Sequence, residues 1–529
     1  MTLEHSTNSR HAAAEYLAAA VLGVAAMAAV QTGVAGLAGN DSYYHLKMAQ
    51  MLPSHGFIHA FPWLHWTIFR DQFVSHHHGF HTLLAPLVWI AERIGATPEL
   101  AGKAAICLGM GVSAALLVLV LRARGVEHRL WWVLLLCCAP WHFWLRMSYL
   151  RAPIVALPLL VLAVWLVVRH RPLLLAFVAF VFAQVYGGVV LMPLVTLAFV
   201  GGALVCGDGL RKALICLAAS VAGIGAGLIL NPYFPHNLVF LKTQLFDTGL
   251  GGARDIGTEW RPFESWFLLK LSAALAAVWL VALLRRLTQP RRADPYEIGL
   301  LLLNLAFLIL TIKSRRFVEY WPVFALINAA DMGRFLVSER APATERQRTR
   351  LRRVGAALLA VLIAGVSVTS LRHARSELRV KHNHAAIEQA MAFLQSHSEP
   401  GSLVFTDDWD VFPVLFYYNI YNHYIVGLDP VFTSKPYPTL WERYRIITRG
   451  QSPRDLPHAM NNEKNPRVTL ADIGREFAAS YVFVADDHPD FYKQLTTDSA
   501  QFERIYPPLA ESAGEDRQPA VALFAVRRD

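Results

Sequence analysis

AAAEYLAAAVLGVAAMAAVQTGVAGLAGNDSYYH, residues 12–45, joins an apolar run to the hexapeptide Asn40-Asp41-Ser42-Tyr43-Tyr44-His45. The run from 12 to 37 is long enough to cross a bilayer. It is too long for a signal-peptide core and lacks a convincing cleavage site, so it reads as a retained first span. A charged side chain beside lipid is costly and usually has a function. That makes Asp41 a candidate catalytic residue. A lone Asp after a span can also serve as a solvated helix end, but Tyr44 and His45 beside it favour the catalytic reading.

Working outward, the rest of the chain repeats the apolar theme. Of 529 residues, 55% are hydrophobic and only 17% are charged, with mean hydropathy +0.35; a soluble protein has about 25% charged residues. The pattern predicts a mainly α, polytopic membrane bundle of about eleven spans. They lie near 12–37, 100–121, 130–145, 152–168, 173–187, 188–206, 213–230, 265–284, 296–312, 317–335 and 354–371. Residues 81–95 are apolar but short and read as an interfacial helix. Cys107, Cys137, Cys138, Cys206 and Cys216 all fall in or beside apolar segments, so neither a disulfide framework nor a cysteine zinc site is expected. The net charge of +10 traces to basic loops between spans, not to a nucleic-acid surface.

Those loops set an orientation. With the N-terminus in the cytoplasm, Arg122, Arg124 and Arg129, Arg169 and Arg171, Arg211 and Lys212, Arg285, Arg286, Arg291 and Arg292, and the cluster from Arg346 to Arg353 all lie inside. That is the expected bias of positive charge. Segments 38–99, 146–151, 231–264 and 313–316 then lie outside, together with the chain from about 372. This last part turns polar, with short β-like runs at Ser402–Thr406 and Tyr481–Ala485 and helical patterns at Ala385–Gln395 and Pro489–Leu495. Residues 1–371 therefore read as a membrane domain and 372–529 as a small extracytoplasmic α/β domain. A multi-pass protein of a bacterial-type inner membrane is the expectation.

The candidate chemistry gathers on the outer side. Asp41, Asp71 and Glu259 are candidate catalytic acids there, and His77, His78 and His81 follow Asp71 closely. Carboxylates suit magnesium or manganese, and a carboxylate also serves as a general base. The histidines show no zinc spacing and are expected to bind an anionic group or line a polar groove. Arg146 and Arg151 flank Met147-Ser148-Tyr149-Leu150; Lys313, Arg315 and Arg316 sit between two spans, with Glu319 following. Both groups break the positive-inside trend. Arginine matches phosphate through paired hydrogen bonds, so a lipid phosphate headgroup is the expected partner. Snorkelling at the interface is the plainer alternative.

Asp41-Ser42-Tyr43-Tyr44-His45 resembles the Asp-x-Tyr-(Tyr/Phe)-His motif in the first outer loop of the GT-C membrane glycosyltransferases, in the branch of the oligosaccharyltransferases and protein mannosyltransferases. The long first outer loop, the span ending in Arg122-Ala123-Arg124 and the soluble outer C-terminal region resemble the family's layout. The resemblance implies inverting transfer of a sugar from a polyprenyl-phosphate or -diphosphate donor to a glycan, lipid or protein acceptor. It implies that Asp41 holds a metal or activates the acceptor, with His45 beside it, and that Mg2+ or Mn2+ is bound by Asp41 and Glu259. Ile256-Gly257-Thr258-Glu259 resembles the later-loop Glu of that branch, and Asp407-Asp408-Trp409-Asp410 resembles its acceptor motif loosely. Tyr44, Trp409 and Asp410 are thereby expected to shape substrate binding. The loop matching the family's second acidic pair reads Arg146-Met147-Ser148-Tyr149-Leu150-Arg151 instead.

Two rivals remain at the level of sequence. A transporter or flippase for a lipid-linked glycan usually has broken helices and buried charge near mid-membrane; here the ionisable residues concentrate at one face. A non-catalytic membrane scaffold gives no reason for Asp41, His45 and the outer arginines to occur together.

Overall fold

The computed structural model describes residues 2–249, 258–334, 345–378, 383–449, 468–508 and 518–527. In chain order the first helices are α1 (Thr2–Gln31), α2 (Asn40–His55), α3 (His78–Arg93), α4 (Pro98–Ala123), α5 (Arg129–Leu136) and α6 (Trp141–Met147). Next come α7 (Pro153–Val168), α8 (Pro172–Val185), α9 (Leu191–Cys206), α10 (Leu210–Ile229) and α11 (His236–Lys242). They are followed by α12 (Ser265–Leu287), α13 (Pro295–Lys313), α14 (Trp321–Gly333) and α15 (Glu345–Glu377). Every expected span falls on a helix, except 130–145, which is the pair α5 and α6, bent by 84°. Among the described residues, five helices are long and apolar enough to cross a membrane by themselves: α4, α10, α13, and the apolar stretches His11–Gln31 and Trp266–Leu287. Segment 81–95 forms the short α3, with Leu83, Trp89 and Ile90 exposed on one side.

The chain divides into two compact units, and it passes between them repeatedly. One comprises 1–38, 76–235 and 258–379; the other 39–75, 236–257 and 380–529. Where the sequence suggested a single division near residue 372, the segments 39–75 and 236–257 thus cluster with the C-terminal region.

In the helical unit, small residues let backbones approach. A Cβ on Gly223 of α10 would stand 2.1 Å from the Ala176 carbonyl of α8, and one on Gly202 of α9 would stand 2.2 Å from the Pro295 carbonyl of α13. Lys103, inside α4, donates to the Val34 and Ala35 carbonyls just past the end of α1, at 2.5 and 3.0 Å. At one end of α4, α13 and α14 a buried ion network closes the bundle. Arg124 Nε donates to Asp331 Oδ1 at 2.7 Å, and its Nη2 to both Asp294 oxygens at 2.9 Å. Arg334 reaches Asp294 at 2.5 Å, and Arg286 and Arg291 both pair with Glu297. Several expected loop cations are therefore structural partners. The side chains of the cluster from Arg346 to Arg353 lie outside the described residues.

The other unit is an α/β layer. After α16 (His384–Ser396) come β1 (Leu403–Thr406), α17 (Phe412–Tyr418), β2 (His423–Tyr424), α18 (Val431–Ser434), α19 (Pro438–Thr448) and α20 (Asp472–Arg475). Then follow β3 (Tyr481–Ala485), α21 (Pro489–Thr497), β4 (Phe502–Tyr506) and β5 (Val521–Val526). The sheet order is β2-β1-β3-β5-β4, parallel across the first three strands and antiparallel in the rest. Its core holds Phe405, Tyr444, Phe477, Val482, Phe491 and Phe524. The segment 57–75 adds to the β2 edge. Tyr424 N donates to the Trp63 carbonyl at 2.8 Å, and His65 N donates to the Tyr424 carbonyl at 2.9 Å. The Phe69 ring lies 4.5 Å from Phe432, tilted by 57°, and Phe61 lies 5.1 Å from Phe416.

Candidate active site

Within the helical unit, the bundle end opposite the Arg124 network collects the arginines that broke the charge rule. Arg146 closes α6, Arg151 precedes α7, and a short turn, Arg315–Glu319, joins α13 to α14. The loop bearing Glu259 is pinned beside it. Arg315 N donates to the Arg261 carbonyl at 3.1 Å, and Ser314 Oγ donates to the Glu259 carbonyl at 3.1 Å. Glu259 then accepts from Arg146 Nη2 at 2.9 Å, Arg151 Nη1 at 3.0 Å and Arg316 Nη1 at 3.2 Å. Glu319, wholly buried, accepts from Arg146 Nε at 2.7 Å and Arg151 Nη2 at 2.9 Å, both on Oε1. Its Oε2 finds no hydrogen-bond partner among the described residues. Arg315 turns aside, donating to the Pro262 carbonyl at 3.2 Å and lying over the Phe263 ring.

The electrostatics follow. Burial alone pushes the Glu259 carboxyl up, but the Arg316, Arg146 and Arg151 guanidiniums hold it well below the usual carboxylate range. Burial likewise opposes the charge on Arg316, yet Glu259 raises its pKa above that of free arginine. Three guanidiniums facing two carboxylates leave the cluster with excess positive charge. Glu259 and Arg316 are its most open members, with side chains 28% and 20% exposed.

The histidines divide. His77 stacks on Tyr186 at 6.0 Å, and Tyr186 lies 6.5 Å from Tyr320, next to Glu319. His78 Nε2 meets Gln184 Oε1 at 2.7 Å. His81 is buried, and burial with the nearby His76 and His78 lowers its pKa to about 3, so it is neutral at physiological pH. Two residues near the cluster escaped sequence reasoning. Tyr186 gave no signal in the apolar run around it. His142 precedes Arg146 by four residues on α6, which puts the two on one helix face.

In the α/β unit, Asp41 lies in the first turn of α2, where the helix dipole favours a carboxylate. Its neighbour Asn40 donates to the Asp410 carbonyl at 2.8 Å, which brings Asp41 to the loop holding Trp409 and Asp410. Tyr43 packs 4.5 Å from His384 and 5.2 Å from Tyr417. Tyr44 and His45 are buried, their rings 5.3 Å apart. Asp71 is exposed in a turn. Ile256 and Gly257, from the motif around Glu259, lie outside the described residues.

A divalent cation does not fit Glu259 as it stands. Three guanidinium groups occupy its oxygens within 3.2 Å, and a cation there would meet like charge at close range.

No family model and no curated protein sequence matches the chain. Solved structures do. The oligosaccharyltransferase AglB from Archaeoglobus fulgidus, in complex with an inhibitory peptide and a dolichol-phosphate, superposes with TM-score 0.61 at 12% identity, over 97% of this chain and 74% of its own. The arabinofuranosyltransferase AftD from Mycobacteria gives 0.58 at 13% identity, over 97% of this chain and 40% of its own. ArnT from Cupriavidus metallidurans, in the apo state, gives 0.54 at 12% identity, over 96% and 97%. Another structure of the Archaeoglobus fulgidus oligosaccharyltransferase holds zinc and sulfate. The chain thus has the fold of the GT-C membrane glycosyltransferases.

Proposed function

We propose that this protein is an inverting membrane glycosyltransferase. It moves a sugar from a polyprenyl-phosphate or -diphosphate donor to a glycan, lipid or protein acceptor on the outer face of a bacterial-type inner membrane. The observation that carries this reading is the buried, net-positive cluster of Arg146, Arg151 and Arg316 at one end of a GT-C bundle. Guanidinium forks match phosphate oxygens, and buried donors strengthen where charge develops. A donor phosphate headgroup is the anion such a cluster suits, and its lipid tail explains a site bordering the bilayer.

The transfer is a single displacement. The acceptor heteroatom bonds to the anomeric carbon as the bond from that carbon to the phosphate oxygen breaks. The electron pair leaves on the phosphate, where the arginines stabilise it. Attack from the opposite face inverts the anomeric configuration. Asp41 takes the acceptor proton as general base. Tyr44, His45, Trp409 and Asp410 belong to the compact unit that presents Asp41, which supports a role beside the acceptor. Glu319 Oε2, buried with an unused lone pair, suits a hydroxyl of the donor sugar. Glu259, held by three guanidiniums, serves as their counter-charge and not as a metal ligand.

The test uses the full chain in proteoliposomes with a panel of radiolabelled polyprenyl-linked sugars. Wild-type protein should transfer label from at least one donor. Asp41→Asn should lower the rate by about 10²–10⁴-fold, the range for a lost general base, while reconstituting normally. Full activity in purified Asp41→Asn protein removes Asp41 from this role. Absence of transfer from every donor, with folded protein, speaks against the enzyme reading itself.

A further inference from the structure

In the helical unit, a groove runs between α12 and α15, across the bend that joins α5 to α6. It encloses about 830 Å³. Phe267 and Leu271 of α12, Leu362 and Val366 of α15, and Trp141 at the start of α6 line it. Ser370 Oγ donates to the Ala139 carbonyl at 2.6 Å, and Cys138 Sγ donates to the Ile363 carbonyl at 3.6 Å, which ties α15 to the bend.

Leu362, Gly365, Val366, Thr369 and His373 recur at helical spacing, so one face of α15 forms a wall of the groove. Gly365 sits in the middle of that face. Elsewhere in the bundle a glycine admits a neighbouring helix, as Gly223 and Gly202 do. A Cβ on Gly365 would meet nothing within 4 Å. A glycine weakens a helix, and here no neighbouring helix among the described residues uses the room it leaves. An occupant from outside the chain fits that room.

The polar end of the groove indicates its chemistry. Lys270 lies inside the apolar stretch Trp266–Leu287 and makes no hydrogen bond or ion pair with a described residue. A cation beside lipid without a counter-charge is costly. His373 lines the same groove, its ring 4.5 Å from Trp141. Arg315 lies over Phe263, whose ring is 6.2 Å from Phe267. From His373 to Leu362 the helix spans about 16 Å, close to the ~15 Å hydrocarbon depth of one leaflet.

We propose that this groove binds an anionic glycerophospholipid, its phosphate on Lys270 and His373 and one acyl chain over Gly365. Basic pockets between spans suit phosphate headgroups. The length fits a lipid of one leaflet better than the far longer chain of a polyprenyl carrier, whose phosphate has the separate cluster of Arg146, Arg151 and Arg316. The bound lipid would brace the bend, and with it α6, which carries Arg146. This inference does not depend on glycosyl transfer.

Delipidated full-length protein in detergent is titrated with phosphatidylglycerol, phosphatidylcholine of the same chains, polyprenyl phosphate and inorganic phosphate, and its melting temperature is followed. Phosphatidylglycerol should raise the melting temperature of wild type, and inorganic phosphate should not, because chain and headgroup bind together. Gly365→Leu fills open space and should abolish the rise. Lys270→Gln should weaken phosphatidylglycerol binding about fivefold, the worth of one cation at a membrane surface, and leave phosphatidylcholine binding unchanged. An equal rise in the Gly365→Leu protein overturns the proposal. So does equal binding of the two phospholipids to wild type, which reduces Lys270 to a snorkelling side chain. A rise with polyprenyl phosphate alone, lost in Gly365→Leu, assigns the groove to the carrier and overturns it as well.

Discussion

At the scale of single residues, Glu259 is the sharpest test of the arginine cluster. Its carboxylate occupies the guanidinium groups that a donor phosphate would need, so the two anions compete. Glu259→Gln should therefore destabilise the empty protein, because three arginines lose their counter-charge. It should also enlarge the rise in melting temperature produced by added polyprenyl phosphate, relative to wild type. A smaller rise would mean that Glu259 helps to hold the donor instead of standing in its place. His81 makes a separate prediction about pH. Its folded pKa is lowered to about 3, against about 6.5 in an unfolded chain. Above that unfolded value both states are neutral and the stability is intact. As pH falls from about 6.5 toward 3 the unfolded chain binds the proton first, and stability is lost. By pH 5 the loss is about 2 kcal/mol. His81→Gln should flatten the fall in melting temperature between pH 7 and 5; an unchanged slope would place the titration elsewhere.

At the scale of elements, the same helices that present the arginine cluster are tied at their far end by Arg124, Asp294, Asp331 and Arg334. Asp331 is wholly buried between two guanidiniums. Asp331→Ala should cost about 3–5 kcal/mol, because it leaves buried cations short of a partner. The double replacement Arg124→Met with Asp331→Leu should cost less than Asp331→Ala alone, since no buried charge is then stranded; thermal unfolding in detergent measures both. This network also shows where sequence reading stops. Spans were legible because a bilayer imposes length and apolarity on each helix separately. Strands β1 and β3 were legible from short β-branched and aromatic runs. The partners of Arg124 were not, because Asp331 lies 207 positions away and nothing local encodes such a pairing. The same holds for Arg146, whose break with the charge rule was visible, while its partners Glu259 and Glu319, 113 and 173 positions on, were not legible as such. Nor did the segment 57–75 announce that its backbone extends the β2 edge, since a strand partner is a property of register, not of composition.

At the scale of the whole molecule, the positive-inside reading assigns a side to each bundle end, and the chemistry requires that assignment. On that reading Arg169, Arg171, Arg211 and Lys212 fall in cytoplasmic loops, and Asp71 and the chain from about 372 fall on the outer side. Labelling intact cells with a membrane-impermeant maleimide separates the two directly. The five native cysteines sit in or beside apolar helices, two of them buried, so a cysteine-free background is a modest change. In that background Asp71→Cys, at an exposed turn, should label in intact cells. Lys212→Cys, exposed in the first turn of α10, should label only after permeabilisation. The reverse pattern would turn the arginine cluster toward the cytoplasm. The donor headgroup and the acceptor would then have to meet on the inner leaflet, and the outer-face transfer proposed here could not hold. Labelling at both positions without permeabilisation would instead mean that the chain between them crosses the membrane an even number of times, which removes one of the expected spans between α4 and α10 or makes α3 a full crossing.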